Sequence, residues 1–366
     1  MSAFEGSEPL PLGTRRINNP WSPFDCKLLT LPPAKSYLDP DGDLCIQVGE
    51  SPATSFVVCS RTLARSSSYW NAMLNGEFKE SKKFCSESGS ERTIKLHEDD
   101  PKPMALLLNI VHSRFDQVPS YESIIDIRYL YEISVLTDKY DMTHVLRPWA
   151  RGWLRSTQHL STWPGLSLRE QYCHERLWIS WELGDTTNFE KIANILLLNS
   201  STSAEDANSL RCDGILEPLD IYEDLQRIRL DTIGALLTSL DNIIQGLMQK
   251  DEKFCQRSGM SMKSKGKRTQ AGQGDCLASM LGTGIQSLCE LELYPIPHPV
   301  DVQWSVSDLS AKLKTVEIKG NFGEYHKCSQ ELALQAEMEK ILNSIHPLLT
   351  EVHQRHLDSQ AKKSGV

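Results

Sequence analysis

Asp41-Gly-Asp-Leu-Cys-Ile-Gln-Val48 and, a turn later, Phe56-Val-Val-Cys-Ser-Arg-Thr-Leu-Ala-Arg-Ser-Ser-Ser-Tyr-Trp-Asn-Ala-Met-Leu-Asn-Gly-Glu-Phe-Lys-Glu-Ser81 decide the reading of this chain. Leu44, Ile46 and Val48 alternate, as a strand with one buried face requires. Pro52 marks a turn before a second strand, Phe56 to Val58. The period then changes: Leu63, Ser67, Trp70, Met73 and Leu74 fall three or four apart, which predicts one helical stripe facing a core.

Tyr69, Trp70, Ala72, Met73, Phe78 and Glu80 lie in register with the BTB/POZ pattern, and the run resembles that family. The likeness continues through a strand at Arg92 to Leu96 and a helix start at Glu98-Asp-Asp-Pro101. Asp100 is placed to cap that helix and Pro101 to fill its first turn. Leu106 to His112, Arg114 to Pro119, the stripe Leu130, Ile133, Leu136 and Tyr140, and Leu146 to Trp153 resemble the BTB proteins that filamentous fungi carry in many copies. Cys59 stands where the wider family usually has histidine, which puts local hydrogen bonding in question while keeping a small, buriable side chain. The resemblance implies an α/β BTB/POZ module, a small sheet flanked by helices, over residues 39–155, followed by an all-α extension. It also implies protein partners, among them a second copy of the chain. In BTB adaptors that recruit a cullin scaffold, a hydrophobic-x-Glu element sits where this chain has Phe78-Lys79-Glu80. An aromatic anchor beside a charged rim is the usual division of labour at an interface. With Met73 and Leu74, these three residues form the candidate partner-binding set.

At 366 residues the chain has room for two domains. Its 40% apolar and 24% charged residues are ordinary for a globular protein. No apolar run approaches the ~18 to 20 residues of a membrane span. The amino terminus, Met1-Ser-Ala-Phe-Glu-Gly-Ser-Glu8, lacks the basic and apolar regions of a secretory signal, so an intracellular setting, cytoplasm or nucleus, is expected. Ten cysteines without a Cys-x-x-Cys pair suit thiols in a reducing compartment. A net charge of −9 argues against a general nucleic-acid surface.

Residues 1–38 are rich in proline and read as a flexible arm, with Cys26 to Leu31 as its one run able to add a strand to a sheet edge. Residues 156–255 read as a helical extension: Leu166 to Leu183, Phe189 to Leu198, and Leu219 to Met248, the last with Leu225, Ile228, Ile233, Leu236, Leu240, Ile243 and Leu247 at helical spacing. Residues 256–275 are polar, glycine-rich and basic, the composition of a disordered loop. Within them Lys263, Lys265, Lys267 and Arg268 form a candidate nuclear-import patch. Residues 276–366 read as a C-terminal helical segment: Cys276 to Leu291, a proline-rich connection, Val306 to about Ile318, and a final long helix carrying Leu334, Met338, Ile341, Ile345, Leu348 and Val352. That seam is too short for a sustained coiled coil, and Pro347 interrupts it, so docking onto the preceding helices is expected.

Phosphate loops, nucleophile elbows and His-Glu-x-x-His helices do not occur, so a non-enzymatic chain is expected. His97-Glu-Asp-Asp100 offers metal-binding side chains but lies between a strand and a capped helix, where structural roles are expected. His346, His353 and His356 have no matching ligands and read as surface residues. Cys255, Cys276, His326 and Cys328 supply the mixture of a structural zinc site that would close the basic loop. The leading expectation is a protein–protein interaction or oligomerisation scaffold. Its rivals are a substrate adaptor of a cullin-type ubiquitin ligase, lacking any recognisable substrate-binding repeat, and a nuclear transcription or chromatin scaffold, lacking a DNA-reading finger.

Overall fold

Leu44, Ile46 and Val48 form one buried row of a strand, β2 (Leu44–Val48), that pairs antiparallel with β3 (Thr54–Val58) so that Ile46 faces Phe56. The computed structural model describes residues 32–76, 92–159, 172–201, 210–255, 271–321, 327–345 and 348–366. β1 (Lys35–Tyr37) runs parallel to β3 at one edge and β4 (Thr93–Leu96) parallel to β2 at the other, giving the order β1-β3-β2-β4. A strand therefore lies within the proline-rich arm, at 35–37, whereas Cys26 to Leu31 falls outside the described residues.

The stripe expected to be one helix is two, α1 (Ser60–Ser66) and α2 (Ser68–Asn75). Ser67 separates them in an extended conformation, its hydroxyl accepting from Trp70 N at 3.1 Å and donating to the Tyr140 carbonyl at 2.5 Å. A serine side chain that serves both a cap and a distant carbonyl offers the backbone an alternative to continuing the helix. Leu63, Ser67, Trp70 and Leu74 are nevertheless all buried, Trp70 stacked on Tyr140 with ring centroids 4.9 Å apart.

α3 (Pro101–Val111) begins as its sequence predicts, with Asp100 accepting from Lys102 N at 2.7 Å and Pro101 in the first turn. α4 (Ile127–Lys139) is capped by Asp126, and α5 (Ala150–His159) buries Ala150, Trp153 and Leu154 in the same core. Together these elements enclose one core. Cys59 bonds through its backbone: its N–H donates to His112 Nε2 at 3.1 Å, while His112 Nδ1 lies 2.9 Å from the Leu108 carbonyl. Burial lowers the His112 pKa, in keeping with a neutral ring that accepts from Cys59 and donates to Leu108.

Beyond the module lie α6 (Cys173–Leu183), α7 (Thr186–Asn199) and the 28-residue α8 (Ile221–Met248). The amino-terminal half of α8 packs with α6 and α7 in a second core, and its carboxyl-terminal half belongs to a third. That third core holds α9 (Ala271–Glu290), α10 (Val306–Lys314), the antiparallel pair β5 (Lys319–Asn321) and β6 (Lys327–Ser329), and α11 (Glu331–Asn343).

The β5–β6 pair corrects the expectation of an all-α extension. α10 ends at Lys314, and after an irregular stretch β5 opens at Lys319. The expected long terminal helix is likewise two, α11 and α12 (Glu351–Ser364), the second opened by a capping box at Thr350. α11 buries Leu334 and Met338 against α8 and its neighbours, the docking expected, while Val352 is exposed. α12 leaves that group and returns to α6 and the first module.

Candidate functional site

Three cysteines from separate segments converge in the third core. Cys255 follows the 3-10 turn Glu252–Phe254, Cys276 lies on α9, and Cys328 is the middle residue of β6. All three are buried, and their sulfurs lie within 4.8 Å of one another, Cys328 Sγ at 4.0 Å from Cys255 Sγ. Gly320 on β5 makes room for the cluster: a Cβ there would stand 2.7 Å from Cys276 Sγ. Burial pushes the Cys276 thiol up to about 12, reinforced by hydrogen bonding to and repulsion from its two neighbours. A neutral, buried thiol is a poor nucleophile. What the arrangement offers is three sulfur donors close enough to share one metal ion. His326, the fourth member of the expected set, lies outside the described residues.

The other candidates divide sharply. Phe78, Lys79 and Glu80, and the basic residues Lys263, Lys265, Lys267 and Arg268, lie outside the described residues. Leu74 is 4% exposed and belongs to the core, so it is not available to a partner, and Met73 is half-buried against the same core. The acidic run at 98–100 is structural: Asp99 is buried, accepting from the Tyr140 hydroxyl and pairing with Lys139 at 2.7 Å, while Asp100 caps α3.

His353 and His356 are not surface residues. His353 is 2% exposed, with Nδ1 accepting from Thr350 N and Nε2 2.8 Å from the Leu219 carbonyl. His356 stacks on Trp181 with ring centroids 3.7 Å apart, and burial lowers its pKa. Both face inward because α12 docks against α6 and α7 and His353 reaches Leu219 ahead of α8, contacts between segments too distant to be seen in local spacing. His346 lies outside the described residues.

Glu182, which the sequence reading passed over, is fully buried where α4, α6 and α12 meet. It accepts from Thr137 at 3.0 Å, Thr143 at 2.5 Å and Gln360 at 2.6 Å. The signal was one acid inside the apolar run Leu177-Trp-Ile-Ser-Trp-Glu-Leu183.

On the outer surface, β1 is the sheet's edge among the described residues and Tyr37 on it is 60% exposed. Arg114 donates to the Tyr37 carbonyl at 3.0 Å, and its neighbour Phe115, 56% exposed, leans on Trp149 with ring centroids 5.8 Å apart. Elsewhere a groove of about 850 Å³ opens between α7, α10 and the end of α11. Among the described residues no helix is long and apolar enough to cross a membrane. Comparison with protein-family models, with curated proteins and with solved structures finds no match for this chain.

Proposed function

We propose that the chain is a non-enzymatic protein-interaction scaffold that binds its partner, a second copy of itself or another protein, through a BTB/POZ-like module. The observation that carries this reading is the aromatic edge formed by Tyr37 and Phe115. Large aromatics that remain exposed beside the strand that is the sheet's edge among the described residues have the character of interface anchors, and such an edge is a place where a further strand can add. The sequence likeness to BTB domains and the mixed α/β module with its small helix-covered sheet support the same reading. The cullin-adaptor and chromatin readings rest on Phe78–Glu80 and Lys263–Arg268, and no observation raises either above the scaffold.

Light scattering on the full-length protein, alone and with a cullin amino-terminal domain, tests the proposal. A concentration-dependent dimer mass that a Tyr37→Ala/Phe115→Ala double variant weakens by about tenfold or more, with its melting temperature unchanged, is the expected outcome. A strictly monomeric protein that also leaves every offered partner uncaptured overturns it. A mass shift on adding cullin directs attention to Phe78 and Glu80 instead.

A further inference from the structure

We propose that Cys255, Cys276 and Cys328 bind one thiophilic divalent cation, zinc in the cell, that ties the third core together. The inference is independent of which partner the module takes. Sulfur ligands of a tetrahedral zinc ion, each at about 2.3 Å from the metal, stand roughly 3.8 Å from one another. The Cys328–Cys255 separation of 4.0 Å is already within reach of that spacing, and the whole trio falls inside 4.8 Å. A small closing movement is therefore enough to bring all three to bonding distance.

Two other readings of the cluster are weaker. A disulfide needs sulfurs at about 2.05 Å, and the described cysteines are not disulfide-bonded. It would also leave the third sulfur unused. Simple packing of small apolar side chains explains buried cysteine in general. It does not explain why three of them, on a 3-10 turn, a helix and a strand, turn their sulfurs toward one point, nor why β5 places a glycine against Cys276, where any side chain would collide with the sulfur.

The same geometry defines the ion's work. Each ligand comes from a different element: Cys255 follows the 3-10 turn Glu252–Phe254, Cys276 lies within α9 and Cys328 on β6. An ion there ties the segment ending in Cys255 to α9 and fixes β6 against α9. Three thiolates leave the fourth tetrahedral position to a ligand beyond the trio. Soft sulfur donors select zinc or its thiophilic analogues over magnesium and calcium, which take oxygen ligands.

The test is metal analysis of the full-length protein purified under reducing conditions without chelator, followed by anaerobic replacement of its metal with cobalt. The expected result is about one zinc per chain and, with cobalt, the intense near-ultraviolet thiolate-to-metal charge transfer and visible ligand-field bands of a tetrahedral sulfur-rich site. Cys276→Ala should abolish the charge-transfer bands, and Cys289→Ser, an exposed cysteine on the same helix, should leave them intact. Should Cys276→Ala fail to fold, the wild-type cobalt spectrum still decides. A wild-type protein that carries no zinc and develops no charge-transfer band on cobalt titration overturns the proposal. A Cys255–Cys328 disulfide found by mass spectrometry in the protein as purified overturns it equally.

Discussion

At Glu182 a single carboxyl joins three parts of the molecule, receiving hydrogen bonds from α4, from the turn at Thr143 and from α12. Burial pushes its pKa up to about 7; the nearby Asp138 adds to the rise, while Thr143, Thr137 and Lys363 oppose it. A folded pKa above the unfolded one means that the neutral form is favoured by folding. The associated stability is complete below about pH 4.5 and is lost as pH rises through 7, an effect on the order of 3 kcal/mol. Glu182→Gln removes the ionisation and keeps groups able to hydrogen-bond. Thermal melts from pH 5 to 8 should show a shallower decline for Glu182→Gln than for the wild type, the difference developing between pH 5 and 7. Parallel curves would show that Glu182 does not titrate in that window. Arg229 is a second buried charge at a joint, donating to the carbonyls of Ser200, Val302 and Trp304. Arg229→Ala leaves those carbonyls unpaired and should cost about 2 to 5 kcal/mol in urea unfolding, well beyond a surface arginine such as Arg61.

Individual elements owe their limits to a few residues. Ser67 divides α1 from α2 by exchanging a helical continuation for two side-chain hydrogen bonds. Gly184 ends α6 in the left-handed region at φ +76°, and a Cβ on it would lie 2.1 Å from Ala361 N on α12. Gly214 has a similar φ of +81° with nothing within 4 Å of such a Cβ. Gly214→Ala should therefore cost only the left-handed penalty of about 1 kcal/mol. Gly184→Ala should cost more and accelerate amide hydrogen exchange across 351–364. Equal losses for the two variants would show that the approach of α12 is not tight. The basic patch and Phe78–Glu80 offer no comparable argument, since they lie outside the described residues.

Across the whole molecule, α8 links two cores along its length and α12 carries the carboxyl-terminal segment back to the module. Ser364 donates to the Leu183 carbonyl at 2.6 Å, Arg147 and Arg151 donate to the carbonyls of Lys362 and Gly365, and Val366 packs against the first core. The division into a module and successive extensions is thus crossed by the last helix. Local periodicity was enough to find β2, β3, the Asp100–Pro101 helix start, α8 and the apolar faces that they bury, because alternation and three-to-four spacing state which side of an element must avoid water. It missed the break at Ser67, where side-chain hydrogen bonds outweighed the helical pattern, and the β5–β6 pair, whose two short strands are joined to each other. The sequence grouped Cys255, Cys276 and Cys328 by residue type, but how closely their sulfurs approach, the inward turn of His353 and His356, and the three donors at Glu182 were decided only by tertiary structure. Each joins residues that are far apart along the chain, and no local spacing says which distant segments will pack together.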